Sequence, residues 1–376
     1  MVGAEGGAGP ADQEIAEDQV DAGAPRAAGD QGQSEEQEEA VSRRPLPHPD
    51  MPSASEVAHH KTTHCPYRCW CDECVEAFGR EWPHRSAHGG RSRCIPVIHM
   101  DYAFLTDRGV IKKSEMTEDE AKTALKILVM YDSSSRGPFA HAVRTKGAND
   151  DGYAAARICE DIEFLGHTRV VLRSDNEPAL LAVVADALKG LRIQHLDSAA
   201  AEGSVPYDPQ TAGAAEVTVR NLKGQIRAMQ LTMDRCLGMH VPPLHPLMAW
   251  LVEHAAFVRF TSIIGPDGKS AYERVRGVAH NLRFPYFGER VRFKARSNED
   301  GVGGDGPQWS DGIWLGVHRR TNQYVIHNIG YGVKHARTIM RYPDVNKFSV
   351  EIAQQVNVGP QGLHEHEPRE AVFRDR

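Results

Sequence analysis

A chain of 376 residues is long enough for two or three domains, and its 40 % hydrophobic and 25 % charged residues are those of an ordinary globular protein. It has no run of eighteen apolar residues, so no membrane span is expected, and its acidic, Gly/Ala-rich start lacks the basic and apolar regions of a secretory signal. The net charge of −7 is uneven: residues 1–50 carry −9 and the rest +2, so the overall acidity does not argue against a nucleic-acid partner.

Residues 1–50 contain twelve Asp or Glu, three Arg and no aromatic residue. Such a segment buries too little surface to offset its ordering entropy and is predicted to be a disordered acidic tail. Residues 51–92 are read as a metal-binding module and linker. Four of the seven cysteines fall between Cys65 and Cys74, which suits a metal site in a reducing compartment better than a disulfide framework. Here His60-x₃-His64 is followed by Cys71-x₂-Cys74, with six residues between the pairs. Two His at helical spacing and a Cys-x₂-Cys knuckle are Zn²⁺ ligand patterns. Cys65, Cys69, His59, His84 and His88 lie close enough in sequence to keep other ligand sets open.

The segment 93–240 alternates strands and helices. Strands are predicted at 95–105 (IPVIHMDYAFL), 125–132 (LKILVMYD), 138–145 (PFAHAVRT), 169–175 (RVVLRSD) and 191–197 (LRIQHLD). Helices are predicted at 152–165, 177–189 and about 214–234. The order β-β-β-α-β-α-β-α is that of an α/β ribonuclease-H-like mixed-sheet core. A helical extension follows over 241–284, with its helix at 244–260. Short alternating runs over 287–342 then read as a small β-barrel within 285–345, and 346–376 as a C-terminal tail.

Three acids stand out. Asp101 interrupts an apolar strand, where a bare carboxylate costs several kcal/mol unless it is paired or metal-bound. Asp175 ends a buried-type strand, at the edge where open α/β sheets place their sites. Glu216 is predicted one turn into a helix that follows a Gly/Pro loop. Each alone has an ordinary explanation as a cap or dipole partner. Together they suit phosphoryl transfer, in which two Mg²⁺ (or Mn²⁺) ions roughly 4 Å apart are held by carboxylate oxygens. His99 shares the strand face of Asp101.

The MDY strand, the SDN turn 74 residues later and YDPQTAGAAEVTVRNLKGQIR resemble the D,D,E blocks of retroviral and retrotransposon integrases, Copia-type elements in particular. The spacing of 41 positions from Asp175 to Glu216 matches the retrotransposon pattern, with Ala212-Gly213 as the small pair before the Glu. The Cys/His segment resembles the HHCC zinc module of that family. FGERVRFKA and WSDGIWLGV resemble its SH3-like C-terminal module.

The resemblance implies an enzyme in which Asp101, Asp175 and Glu216 bind the catalytic metal and His60, His64, Cys71 and Cys74 bind zinc. Arg220, Lys223 and Arg227 follow Glu216 at helical spacing, on the face that such enzymes turn to the DNA end. Arg290, Arg292 and Lys294 alternate on one strand and give the C-terminal module a basic face for DNA. DNA as partner, a homo-oligomer, nuclear action and no membrane are implied with it. The alternative is a catalytically silent, integrase-derived DNA- or chromatin-binding protein. A transposase or nuclease on the same core would lack the flanking modules.

Overall fold

Ser53 opens α1 (Ala54–Thr63) with a reciprocal cap: its hydroxyl accepts from the Glu56 amide while the Glu56 carboxylate accepts from the Ser53 amide. After α2 (Asp72–Phe78) the chain enters β1 (Val97–Thr106) and its hairpin partner β2 (Gly109–Ile111). Then come α3 (Glu118–Thr123), β3 (Leu125–Asp132), β4 (Gly137–Val143), α4 (Tyr153–Leu165), β5 (Arg169–Ser174), α5 (Pro178–Ile193) and β6 (Ser198–Gly203). This computed structural model describes residues 52–78, 95–111, 115–148, 152–193, 198–203, 209–294, 309–364 and 374–375. All belong to the unit Pro49–Arg376. The acidic tail of residues 1–50, His84, His88 and Cys94 lie outside the described residues.

The central sheet has the order β4-β3-β1-β5-β6, antiparallel through β4, β3 and β1 and parallel through β1, β5 and β6. The core is ribonuclease-H-like. Alternation along β1 sorts its side chains onto two faces. Ile98, Met100, Tyr102 and Phe104 join Val170 and Leu172 in the core under α4 and α5. Ala103 and Leu105 join a second core with the helices that follow.

Two predicted elements are corrected. LRI of the expected strand 191–197 closes α5, because Leu180, Val183, Val184, Ala187 and Leu191 sustain one buried helical stripe. The strand β6 is instead SAAAEG, small residues of low β-propensity that are ordered by pairing with β5. The helix expected at 214–234 is α6 (Pro209–Leu237), which starts earlier with Pro209 in its first turn. Glu216 therefore lies about two turns into the helix rather than one.

Next, β7 (Met239–His240) leads to α7 (Pro246–Ser262) and α8 (Ala271–Arg276). α7 is buried on nearly every side and lies in one core with α6, β1, β3, β4 and the C-terminal sheet. That sheet comprises β8 (Arg290–Lys294), β9 (Trp309–Val317), β10 (Tyr324–Asn328), β11 (Gly332–Ala336) and β12 (Ile339–Arg341). Its antiparallel order, β11-β10-β9-β8-β12, returns the last strand to the first, as in SH3-like modules. Fully buried Trp314 packs edge-on to His254 of α7, with ring centroids 4.7 Å apart. Burial holds His254 neutral by pushing its pKa down to about 3. After α9 (Val350–Gln354), β13 (Arg374–Asp375) pairs with β7. Among the described residues no helix is long and apolar enough to cross a membrane.

Charges also tie the C-terminal module to the core. Buried His141 of β4 meets Asp161 of α4 at 2.6 Å and Glu253 of α7 at 3.2 Å. Arg319, after β9, reaches the same Asp161, and Arg320 reaches Glu163. Burial works against the charged form of His141, but the two carboxylates outweigh it and raise its pKa.

α2 packs against α6 at a glycine. A Cβ on Gly224 would lie 2.3 Å from the Phe78 ring, so the close approach depends on the missing side chain. Gly224→Leu is expected to lower stability by about 1–3 kcal/mol through overpacking. It should also expose residues 52–78 to protease before the sheet, as read by a thermal melt and limited digestion. Unchanged stability and digestion would show that Phe78 can be displaced without loss.

Candidate active site and metal centre

The two aspartates are neighbours through the parallel β1–β5 register. Met100 pairs with Ser174, so the next positions are Asp101 and Asp175, on strands about 4.8 Å apart. Val170 and Leu172 turn to the α4/α5 core, which gives Arg173 and the next position of equal parity, Asp175, to the other face. Asp101 has the parity of Ala103 and belongs to that face too. It is half-buried and its Oδ1 accepts from the Tyr102 amide at 2.7 Å. Asp175 is exposed and its Oδ1 accepts from the Asn176 amide at 2.7 Å. The turn is anchored two residues later, where Glu177 accepts from Lys146 at 2.7 Å, and the Lys146 ammonium lies over the Tyr102 ring at 4.7 Å.

Glu216 comes from α6, whose Val219, Leu222 and Ile226 pack in the same core as Ala103 and Leu105. Its side chain is exposed, as are Arg220 and Arg227 on the same helical face; Lys223 is half-buried. Asp101, Asp175 and Glu216 are not drawn together as tightly as a closed metal cage. Among the described residues, the one group of three or more His, Cys, Asp or Glu with ligand atoms all within 4.8 Å is elsewhere. An open set of carboxylates is still the donor chemistry of Mg²⁺, which keeps several waters and is bound through a few protein oxygens. Two features of the acid face were not singled out from sequence. Arg173, 5 % exposed, pairs with Glu202 of β6 at 2.5 Å, and the register sets Arg173 between His99 and Glu202. The charged residue inside RVVLRSD was the available signal.

The compact group is His60, His64, Cys71 and Cys74, all buried. His60 is in α1 and Cys74 in α2; His64 caps α1 in the left-handed region at φ 53°, and Cys71 immediately precedes α2. His60 Nε2 lies 3.2 Å from Cys74 Sγ, and His64 Nδ1 lies 3.6 Å from Cys71 Sγ and 3.7 Å from Cys74 Sγ. A tetrahedral ion bound at ordinary Zn–N and Zn–S lengths has donor–donor edges of about 3.3–3.8 Å, so the two N and two S donors fit Zn²⁺. The Cys71 thiol donates to Glu73 Oε2 at 3.3 Å; the neighbouring Cys74 thiol, together with burial, pushes Cys71 up to about 11, and Cys74 is lowered in turn.

The other nearby donors are outside this group. Cys65 donates to Gln225 Oε1 at 3.0 Å, and burial pushes it up to about 12. Cys69 and His59 are exposed.

On β8, Arg292 and Lys294 are exposed, but Arg290 is half-buried and paired with Asp311 at 2.7 Å. Arg290 and Arg292 both lie over the Tyr342 ring, at 4.5 and 4.6 Å. The basic strand face is thus partly neutralised within its own module.

No family model matches the sequence, and no curated protein matches it. Solved structures with some likeness include the catalytic core domain of BIV integrase, 18 % identical over 48 % of this chain and 92 % of that one, with a TM-score of 0.32. The HTLV-2 integrase catalytic core domain in complex with magnesium (trimeric form) is 14 % identical over 49 % and 99 %, with a TM-score of 0.34. A chain of the simian T-cell lymphotropic virus intasome in complex with PP2A regulatory subunit B56 gamma is 14 % identical over 69 % and 84 %, with a TM-score of 0.36. These values are too low for any residue here to inherit a role. The sheet order and the placement of the acids stand by themselves.

Proposed function

We propose that this protein is a metal-dependent polynucleotidyl transferase of the integrase type, joining the 3′ ends of a retrotransposon's DNA to target DNA. The observation that carries this reading is the register that sets Asp101 beside Asp175, with Glu216 on a helix packed to the same face. These three carboxylates would hold Mg²⁺ or Mn²⁺, which supplies activation of the nucleophilic oxygen and stabilisation of the leaving one. In the reaction a DNA 3′-hydroxyl forms a bond to a target-strand phosphorus, and the bond to the target 3′-oxygen breaks. No covalent enzyme intermediate is required. With water as nucleophile the same site would trim the element's ends.

Arg220, Lys223 and Arg227 lie along the helix beyond Glu216, so a phosphate backbone held there is led to the acids. Arg292 and Lys294 offer further phosphate contacts, and Arg290 mainly orders its own module. His60, His64, Cys71 and Cys74 would bind Zn²⁺ as a closed structural site. The Copia-like motifs add a nuclear setting and a homo-oligomer to the reading.

The test is strand transfer on labelled linear DNA with Mg²⁺ or Mn²⁺, together with a disintegration substrate that makes looser sequence demands. Joined products are expected from the unaltered protein and none without a divalent ion. If it neither joins nor cleaves DNA but binds it with steep salt dependence, the silent DNA-binding reading replaces this one.

A further inference from the structure

The Cys/His module is fastened to α6 by several side chains. Gln225 donates to the Thr63 carbonyl and accepts from Cys65. Arg235 pairs with Glu73 and with Glu76. Between them, His64 Nε2 lies 2.8 Å from Thr232 Oγ1, with both residues buried. The Thr232 hydroxyl donates its one hydrogen to the Ala228 carbonyl at 3.1 Å. It therefore acts as acceptor toward the imidazole, and Nε2 of His64 must carry the proton. That leaves the lone pair on Nδ1, the atom facing Cys71 Sγ and Cys74 Sγ.

We propose that Thr232 is a positioning residue of the metal centre, setting the tautomer of His64 from α6 so that metal occupancy and the order of this helix are linked. The proposal rests on the zinc reading above. Partners that orient a ligating His typically contribute about 10–100-fold in metal affinity. Linkage is reciprocal, so the bound metal strengthens the His64–Thr232 contact with α6 by the same factor. The fastened stretch runs from Gly224 to Arg235, and Glu216 lies eight residues before Gly224 on the same helix.

The test uses the full chain and Zn²⁺ in competition with a chromophoric chelator. Thr232→Val keeps the side-chain shape and is expected to weaken Zn²⁺ binding about 10–100-fold. Thr232→Ser restores the acceptor and should stay within about 3-fold of the unaltered protein, a smaller change than loss of such a partner gives. Hydrogen exchange supplies the second readout. Removing Zn²⁺ should speed exchange across 224–235 in the unaltered protein, and less so in Thr232→Val.

Equal affinity in Thr232→Val, equal losses in Val and Ser, or exchange changes confined to 54–78 would each overturn the proposal. A wild-type measurement covers the case in which the variant fails to fold. The ¹⁵N shifts of the His64 ring should report a proton on Nε2, and a proton on Nδ1 would refute the assignment. If the unaltered protein takes up no Zn²⁺, the zinc reading itself falls and this proposal falls with it.

Discussion

Replacing Cys74 by Ser should abolish Zn²⁺ binding and unfold residues 54–78 while the central sheet stays folded. Cys74 is fully buried, and His60, His64 and Cys71 are each no more than 5 % exposed. This small module thus has metal donors where a larger domain would have an apolar core, and donors buried without an ion are costly. Structural zinc in small modules binds with apparent free energies of about 10–16 kcal/mol, and that energy is folding energy. Metal analysis should fall from one zinc per chain to none, and limited proteolysis should cut first within the module. Chelation of the unaltered protein should reproduce the cleavage pattern. A variant that keeps its zinc would remove Cys74 from the ligand set.

The second large effect is expected at the acids. On the proposed site, Asp101→Asn should lower strand joining by a factor on the order of 10² or more, because a neutral amide would replace a carboxylate offered to the divalent ion. Stability should change little. The Asn side chain keeps the shape of Asp101 and the Oδ1 that accepts from the Tyr102 amide. Glu216→Gln should lose joining to a similar extent with no stability change, since its side chain is exposed. Joining and melting curves measured together check both statements. If Asp101→Asn is less stable and still joins DNA, Asp101 is a structural acid and the proposed site is wrong.

Features that depend on local periodicity were readable along the chain. Strands β1 and β3 and helix α4 were legible because burial imposes periods of two and 3.6 on their apolar residues. The same spacing marked His60, His64, Cys71 and Cys74, whose ligand atoms the fold draws within 4.8 Å of one another. An acid inside IPVIHMDYAFL was conspicuous for the same reason: a charge among buried residues needs a partner.

Register and long-range contact set the remaining features, and no local pattern records them. β6 has no strand signal of its own in SAAAEG, and exists because β5 offers a free parallel edge. Asp101 and Asp175 are 74 positions apart, and only the strand register makes them neighbours. Thr232 meets His64 across 168 positions, and Arg319 meets Asp161 across 158. Arg290 read as part of a DNA face until Asp311 of the adjacent strand claimed its charge. Periodicity records which side of an element is buried; the identity of the group it meets there is a property of the assembled fold.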